Sequence, residues 1–382
     1  MKKKDTPMKL LTRILVWLAV AGGAFAATPL TRTIPVSDTN WFFSPYNWYV
    51  NDSAFAETQN TGAYFTLRFT GTQVALVLDV SPLNGVSPSD WPNIRWQIDS
   101  SLPEDHRLKQ SDSQLRLNSQ ALAPGPHSLM VWFVSSSTFH DRWIVPVESV
   151  RITELVIDVD GSILAPVLYP ARMLFFGDSI TEGINTESAK PQRVDRSDAT
   201  HAYTYGCAAA LKAEFGVVGF AGQGWTVAFG EAGQHVPPFP EAWKYQFAGQ
   251  PRSFSPAPDY VVVVHGGGDG LVGIPDPQVA DAVQVWLGNA RAALRKSKIF
   301  VVVPFGGWER DGVTEGFNAY QEAAHDRNAY LIDLGPSAQV GLDGGFVQGG
   351  TATSYDGVHP TAARSTELGA MLAEAIKEAL GE

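Results

Sequence analysis

Phe175-Phe176-Gly177-Asp178-Ser179-Ile180-Thr181-Glu182-Gly183 carries an apolar run, begun at Met173, straight into a Gly-Asp-Ser turn. An apolar run this short, bounded by turn residues, reads as a strand buried on both faces. Similar runs follow at 217–220, 260–264, 299–303 and 330–334. Amphipathic stretches lie between and after them. Val279, Val283, Trp286, Leu287, Ala290 and Leu294 keep the spacing of one helix face, as do Leu368, Met371, Leu372, Ala375, Ile376 and Ala379. Strands alternating with helices predict an α/β domain, a parallel sheet with helices on both sides. In such sheets the site lies at the C-terminal strand ends, where Gly177-Asp178-Ser179 falls. A helix is expected to begin just after Ser179.

Upstream, residues 28–165 read as strands and turns with no convincing helix. The segment 64–69 leads through Thr70-Gly71-Thr72 into 74–80, which predicts a hairpin. Ile94, Trp96 and Ile98 alternate with polar residues, the pattern of a half-buried strand. Further strands are expected at 128–134 and 150–156. Short strands with regular turn signals predict an all-β sandwich of jelly-roll type. The expected organisation is thus a sandwich over 27–165, a linker at 165–170, and an α/β domain over 172–382.

The first 26 residues stand apart. Lys2, Lys3, Lys4, Lys9 and Arg13 precede an apolar run that ends at Ala24-Phe25-Ala26. This reads as a secretory signal peptide cut after Ala26, and the protein is expected to be secreted or periplasmic. The run is too short for the roughly 20 residues of a membrane-spanning helix. Cleavage would remove five basic residues and one acid from a chain of net charge −11, leaving −15. An acidic surface of this kind does not attract nucleic acid or anionic membranes. The single cysteine, Cys207, rules out an intramolecular disulfide and is expected to be buried.

Two strings carry chemistry. Ser179 sits at a strand end, where its own N–H can help hold a developing oxyanion. Alone, Gly-Asp-Ser is also an ordinary turn and helix cap. The second string is Asp356-Gly357-Val358-His359-Pro360, ahead of the last helix. A serine nucleophile needs a base, and the base needs a carboxylate to set its tautomer. Asp356 can reach Nδ1 of His359 and leave Nε2 for Ser179. Read together, the two strings predict nucleophilic catalysis. No cluster has zinc-ligand spacing and no phosphate loop occurs, so neither metal nor cofactor is expected. Asp195, Asp198 and His201 are read as a solvated loop on the substrate side.

The second half resembles the SGNH (GDSL-type) hydrolase superfamily through Gly177 to Thr181 and through Asp356 to His359. The resemblance implies a flavodoxin-like, three-layer fold with Ser179, His359 and Asp356 as the catalytic set. It also implies an oxyanion hole completed by a Gly in a second block and an Asn in a third. The second block corresponds to Phe220-Ala221-Gly222-Gln223-Gly224-Trp225, with Gly222 the expected donor and Gly224 the alternative. The third departs from the family pattern: Val264-His265-Gly266-Gly267-Gly268-Asp269 places Gly268 where Asn is usual. Either a backbone N–H there or another residue such as His265 takes its place, or activity is weak. A sandwich ahead of such a domain resembles the carbohydrate esterases of family two, which implies O-acyl, above all O-acetyl, carbohydrate substrates. Trp225, Trp308 and Asp269 are the expected substrate contacts; the two tryptophans are equally readable as core or lid. Two other readings stay open: a sugar-binding protein with a decayed site, and a lipid or aryl-ester hydrolase or acyltransferase. The oligomeric state is not readable.

Overall fold

A computed structural model describes residues 30–51, 54–144, 147–188, 193–229, 235–338, 340 and 353–382. The expected signal segment 1–26 lies outside the described residues. Residues Thr31–Glu382 form one compact unit.

Its first part is a sandwich of two six-stranded antiparallel sheets. One sheet centres on Val150–Asp158, flanked by Phe55–Thr58 and Val74–Leu78. The other centres on Pro126–Ser135, flanked by Tyr64–Thr70 and Asn93–Ile98. Period-two alternation turns Leu67, Phe69, Ile94, Trp96, Leu129 and Val131 inward against Leu76, Ile152 and Leu155 of the facing sheet. The expected hairpin at 64–80 does not form. Tyr64–Thr70 and Val74–Leu78 belong to different sheets, so the chain crosses the sandwich at Gly71 instead of folding back. The crossing is held by Asp158, whose carboxylate accepts hydrogen bonds from the Thr72 N–H and from Gln73 Nε2. That contact spans 86 residues, beyond the reach of a reading of the local sequence.

The second part is a five-stranded parallel sheet: β1 (Ala171–Gly177), β2 (Ala213–Gly219), β3 (Tyr260–Val264), β4 (Lys298–Val302) and β5 (Ala329–Ile332). The spatial order is β2-β1-β3-β4-β5, the doubly wound order expected. Helices α1 (Tyr203–Ala210) and α4 (Ala362–Leu380) pack with one side of the sheet, among Phe175, Val217 and Phe300. Helices α2 (Asp276–Ala293) and α3 (Arg310–Ala324) cover the other, through Val279, Trp286 and Phe317. Because β1 lies between β2 and β3, Gly177 lies in register with Gly219 on one side and Val264 on the other. The loops after β1, β2 and β3 are thereby brought to one spot. No helix among the described residues is long and apolar enough to cross a membrane.

Candidate active site

Ser179 leaves β1 at the sheet's C-terminal edge. The expected helix is reduced to a single turn: Glu182 N–H reaches the Asp178 carbonyl at 3.1 Å, and Gly183, at φ 73°, ends it. Gly177 admits this turn, since a Cβ there would press on Thr181 Cβ at 2.8 Å. Asp178 is buried, and its Oδ1 accepts the Ile180 N–H at 3.0 Å. Burial pushes its carboxyl up to about 6.

The Asp356–His359 turn comes to the same edge just ahead of α4, whose first turn is capped by Thr361. Ser179 Oγ lies 2.8 Å from His359 Nε2, and His359 Nδ1 lies 2.6 Å from Asp356 Oδ2. Burial works to raise the Asp356 carboxyl, but hydrogen bonds from the His359 ring and from the N–H groups of His359 and Val358 outweigh it and hold it well below the usual range. An ionised carboxylate only accepts, so Nδ1 carries the ring hydrogen and Nε2 presents a lone pair to the Ser179 hydroxyl. This arrangement can move a proton off the serine as it attacks an electrophilic carbon.

A cavity opens directly on this pair. Its described lining includes Ser179, His359, Gly222 and Gly268, with apolar walls from Ile180, Phe229, Leu271, Pro304, Trp308 and Val358. Gly222 stands at φ 73° against Phe229, where a Cβ would meet the Phe229 carbonyl oxygen at 2.9 Å. Gly268 lies in the first turn of the short helix Gly267–Val272, so its N–H has no partner within the helix. Gly224 is excluded as a donor, because its N–H is taken by the Val227 carbonyl at 2.8 Å.

Four expectations are corrected. Trp225 is 1% exposed and packs on Phe239 and Trp286, with its indole N–H on the His265 carbonyl, so it is core and not a substrate contact. Asp269 is fully buried and accepts the N–H groups of Trp225 and Thr226 at 2.7 and 2.8 Å; it pins the second loop from behind. Asp195 and His201 are exposed as expected, but Asp198 between them is not. It is buried and paired with Arg95 of the sandwich at 2.8 Å. Glu187, Asp198 and His201 bring one ligand atom each within 4.8 Å of one another, but Arg95 already supplies the balancing cation to Asp198. His265, the other replacement considered for the missing Asn, is also core. Burial pulls it down to about 3, and its Nδ1 faces the Gln223 carbonyl.

Trp308 does line the cavity. Sequence reading missed Asp178, Ile180, Phe229, Leu271 and Val358 as lining residues, and it missed Asn185. The amide of Asn185 donates to Asp356 Oδ2. A lone Asn in a polar loop carries no sequence signal for that contact.

Residues 175–363 match the profile of the GDSL-like lipase/acylhydrolase family. No curated protein sequence is significantly similar to the chain. Among solved structures, a family two carbohydrate esterase from Cellvibrio japonicus superposes with TM-score 0.74 at 16% identity, covering 93% of this chain and 99% of its own. A family two carbohydrate esterase from Clostridium thermocellum, in complex with cellohexaose, gives 0.70 at 20% identity over 89% and 99%. An acetyl xylan esterase from the rumen bacterium Butyrivibrio proteoclasticus gives 0.72 at 14% identity over 92% and 99%.

Proposed function

We propose that the protein is an ester hydrolase, as the match of residues 175–363 to the GDSL-like lipase/acylhydrolase family supports, and that it hydrolyses O-acyl esters of carbohydrate through an acyl-enzyme on Ser179. The observation that carries this reading is the line from Ser179 Oγ to His359 Nε2 at 2.8 Å and from His359 Nδ1 to Asp356 at 2.6 Å, opening on a cavity. Ser179 attacks the ester carbonyl while His359 takes its proton. The oxyanion is held by the N–H groups of Ser179, Gly222 and Gly268. His359 then protonates the leaving alcohol, and the alcohol departs. Water, deprotonated by His359, attacks the acyl-enzyme and releases the acid. Asp356 stays ionised throughout.

The same reading makes the protein exported, on the strength of the basic and apolar segment ahead of Ala26. It makes the sandwich a jelly-roll domain ending near residue 165, with the hydrolase domain from 172. The chain path supports that division, since the last sandwich strand ends at Leu164 and β1 starts at Ala171.

Ser179→Ala is expected to abolish turnover of p-nitrophenyl acetate and labelling by a fluorophosphonate. Unchanged turnover would sink the nucleophile assignment, and a wild-type protein that neither turns over nor labels would point to a sugar-binding module. The apolar walls of Ile180, Phe229, Leu271 and Val358 favour a second reading in which the group beside Ser179 is a longer acyl chain or an aryl group. Acetylated xylan and acetylated mannan, set against p-nitrophenyl esters of increasing chain length, separate the two. A preference for long acyl chains removes the carbohydrate reading.

A further inference from the structure

Asp356 is held from two sides. Its Oδ1 is occupied by its own turn, accepting the N–H groups of Val358 at 3.0 Å and His359 at 2.9 Å and the Ser354 hydroxyl at 3.2 Å. Its Oδ2 faces His359 Nδ1 and, from the opposite loop, the side-chain amide of Asn185. These two loops, carrying the serine and the histidine, are far apart in sequence. Beside the amide contact they are joined by the Ala362 N–H on the Thr186 carbonyl at 2.8 Å.

We propose that Asn185 is a positioning residue of the hydrolytic site, locking the Asp356 carboxylate in the orientation that serves His359; this rests on the reading of Ser179 as nucleophile. The carboxylate can only accept, so the amide must turn its nitrogen toward Asp356. That orientation leaves Asn185 Oδ1 buried with no partner among the described residues. Burying an unpaired carbonyl is unfavourable, which a residue present only for packing would not require. The backbone also suits the role. Asn185 sits at φ 57°, a conformation Asn tolerates, with its N–H on Ser197 Oγ at 3.1 Å. Its Nδ2 lies 3.5 Å from His359 Nδ1; both nitrogens carry hydrogens, so this is proximity and not a bond.

The test is a double-mutant cycle on p-nitrophenyl acetate hydrolysis, with kcat and KM separated. Asn185→Gly keeps the left-handed backbone and removes the amide. It is expected to lower kcat by roughly tenfold or more, the size of one charge-assisted hydrogen bond, with KM nearly unchanged. In an Asp356→Ala background the same substitution should change kcat little. Asn185→Asp, which preserves volume, sets a carboxylate against Asp356 and should also lower kcat. In the Asp356→Ala background it should instead raise kcat, because the new carboxylate lies within reach of His359 Nδ1. A merely structural residue would lose the same factor in both backgrounds, and that result, or full activity of Asn185→Gly, overturns the proposal. If wild-type turnover does not depend on Ser179, the nucleophile assignment fails first and takes this role with it.

Discussion

At the scale of the residue, the site turns on glycines where side chains are usual. Gly268 stands where the family pattern has Asn, and a Cβ there would lie 2.8 Å from the Gly222 carbonyl oxygen. The second and third loops are too close for the Asn to be restored. Gly268→Asn is therefore expected to lower both kcat and melting temperature; a gain in kcat would show that the side-chain donor is simply absent. Asp178 gives a pH signature. Its carboxyl is raised by burial to about 6, so the folded protein holds this proton where the unfolded chain has lost it. The associated stability is present at pH below about 4 and is lost as pH rises through about 6. Asp178→Asn should remove that dependence and stabilise the fold at pH 7.5 by up to about 3 kcal/mol. Urea unfolding of both proteins at pH 5 and 7.5 checks the sign. Ser179, Asp356 and His359 were legible because strings of fixed spacing carried them. Asn185 and Phe229 were not, since their roles depend on loops whose course local sequence does not determine.

At the scale of the element, the strand–turn junctions aim the chemistry. The register of Gly177 between Gly219 and Val264 puts three loops at one edge, which β1 achieves by lying between β2 and β3. The histidine arrives on the turn just ahead of α4. That helix is seated on α1 through Gly369, where a Cβ would meet the Tyr203 carbonyl oxygen at 2.5 Å. Gly369→Ala should push α4 outward and cost about 1–3 kcal/mol. Because His359 sits just ahead of α4, kcat should fall with it. A stable variant of unchanged kcat would mean that α4 does not position the histidine. The strands and the two long helices were readable from apolar periodicity, within a few residues at each end. The turn at Gly71 was misread, because hairpin and crossover share the same local residues and differ only in which partners the strands find.

At the scale of the molecule, the sandwich and the sheet are one structure. Arg142, from the sandwich side, is fully buried and pairs with Glu182, three residues after Ser179. The same guanidinium donates to the Gln59 carbonyl at 3.0 Å, and Thr61 Oγ1 donates to the Glu182 carbonyl at 3.1 Å. Tyr64 OH donates to Glu214 at 2.5 Å, and Tyr205 OH to the Gly62 carbonyl at 2.8 Å. The sandwich thus buttresses the loop that carries Ser179. Arg142→Met would leave Glu182 buried without its guanidinium, and is expected to destabilise the protein by about 3–5 kcal/mol. Activity of the remaining folded fraction should also fall, measured by chemical unfolding alongside titration of active sites. Full stability would mean that Glu182 finds another partner.

The sequence by itself determined that a strand-rich half precedes a parallel α/β half, and it singled out Ser179, Asp356 and His359, which the structure brings together. Burial periodicity and catalytic spacing are local properties, and both are written in order along the chain. Only the tertiary structure decided that Trp225 and Asp269 are core, that Trp308 and Phe229 wall the cavity, and that Asn185 meets Asp356. Those outcomes depend on which loops converge at the edge of β1, and convergence is set by sheet order and by packing against the sandwich. Gly177-Asp178-Ser179 is a common turn by sequence; its setting between β2, β3 and the Asp356–His359 turn is what gives it a base, a carboxylate and a cavity.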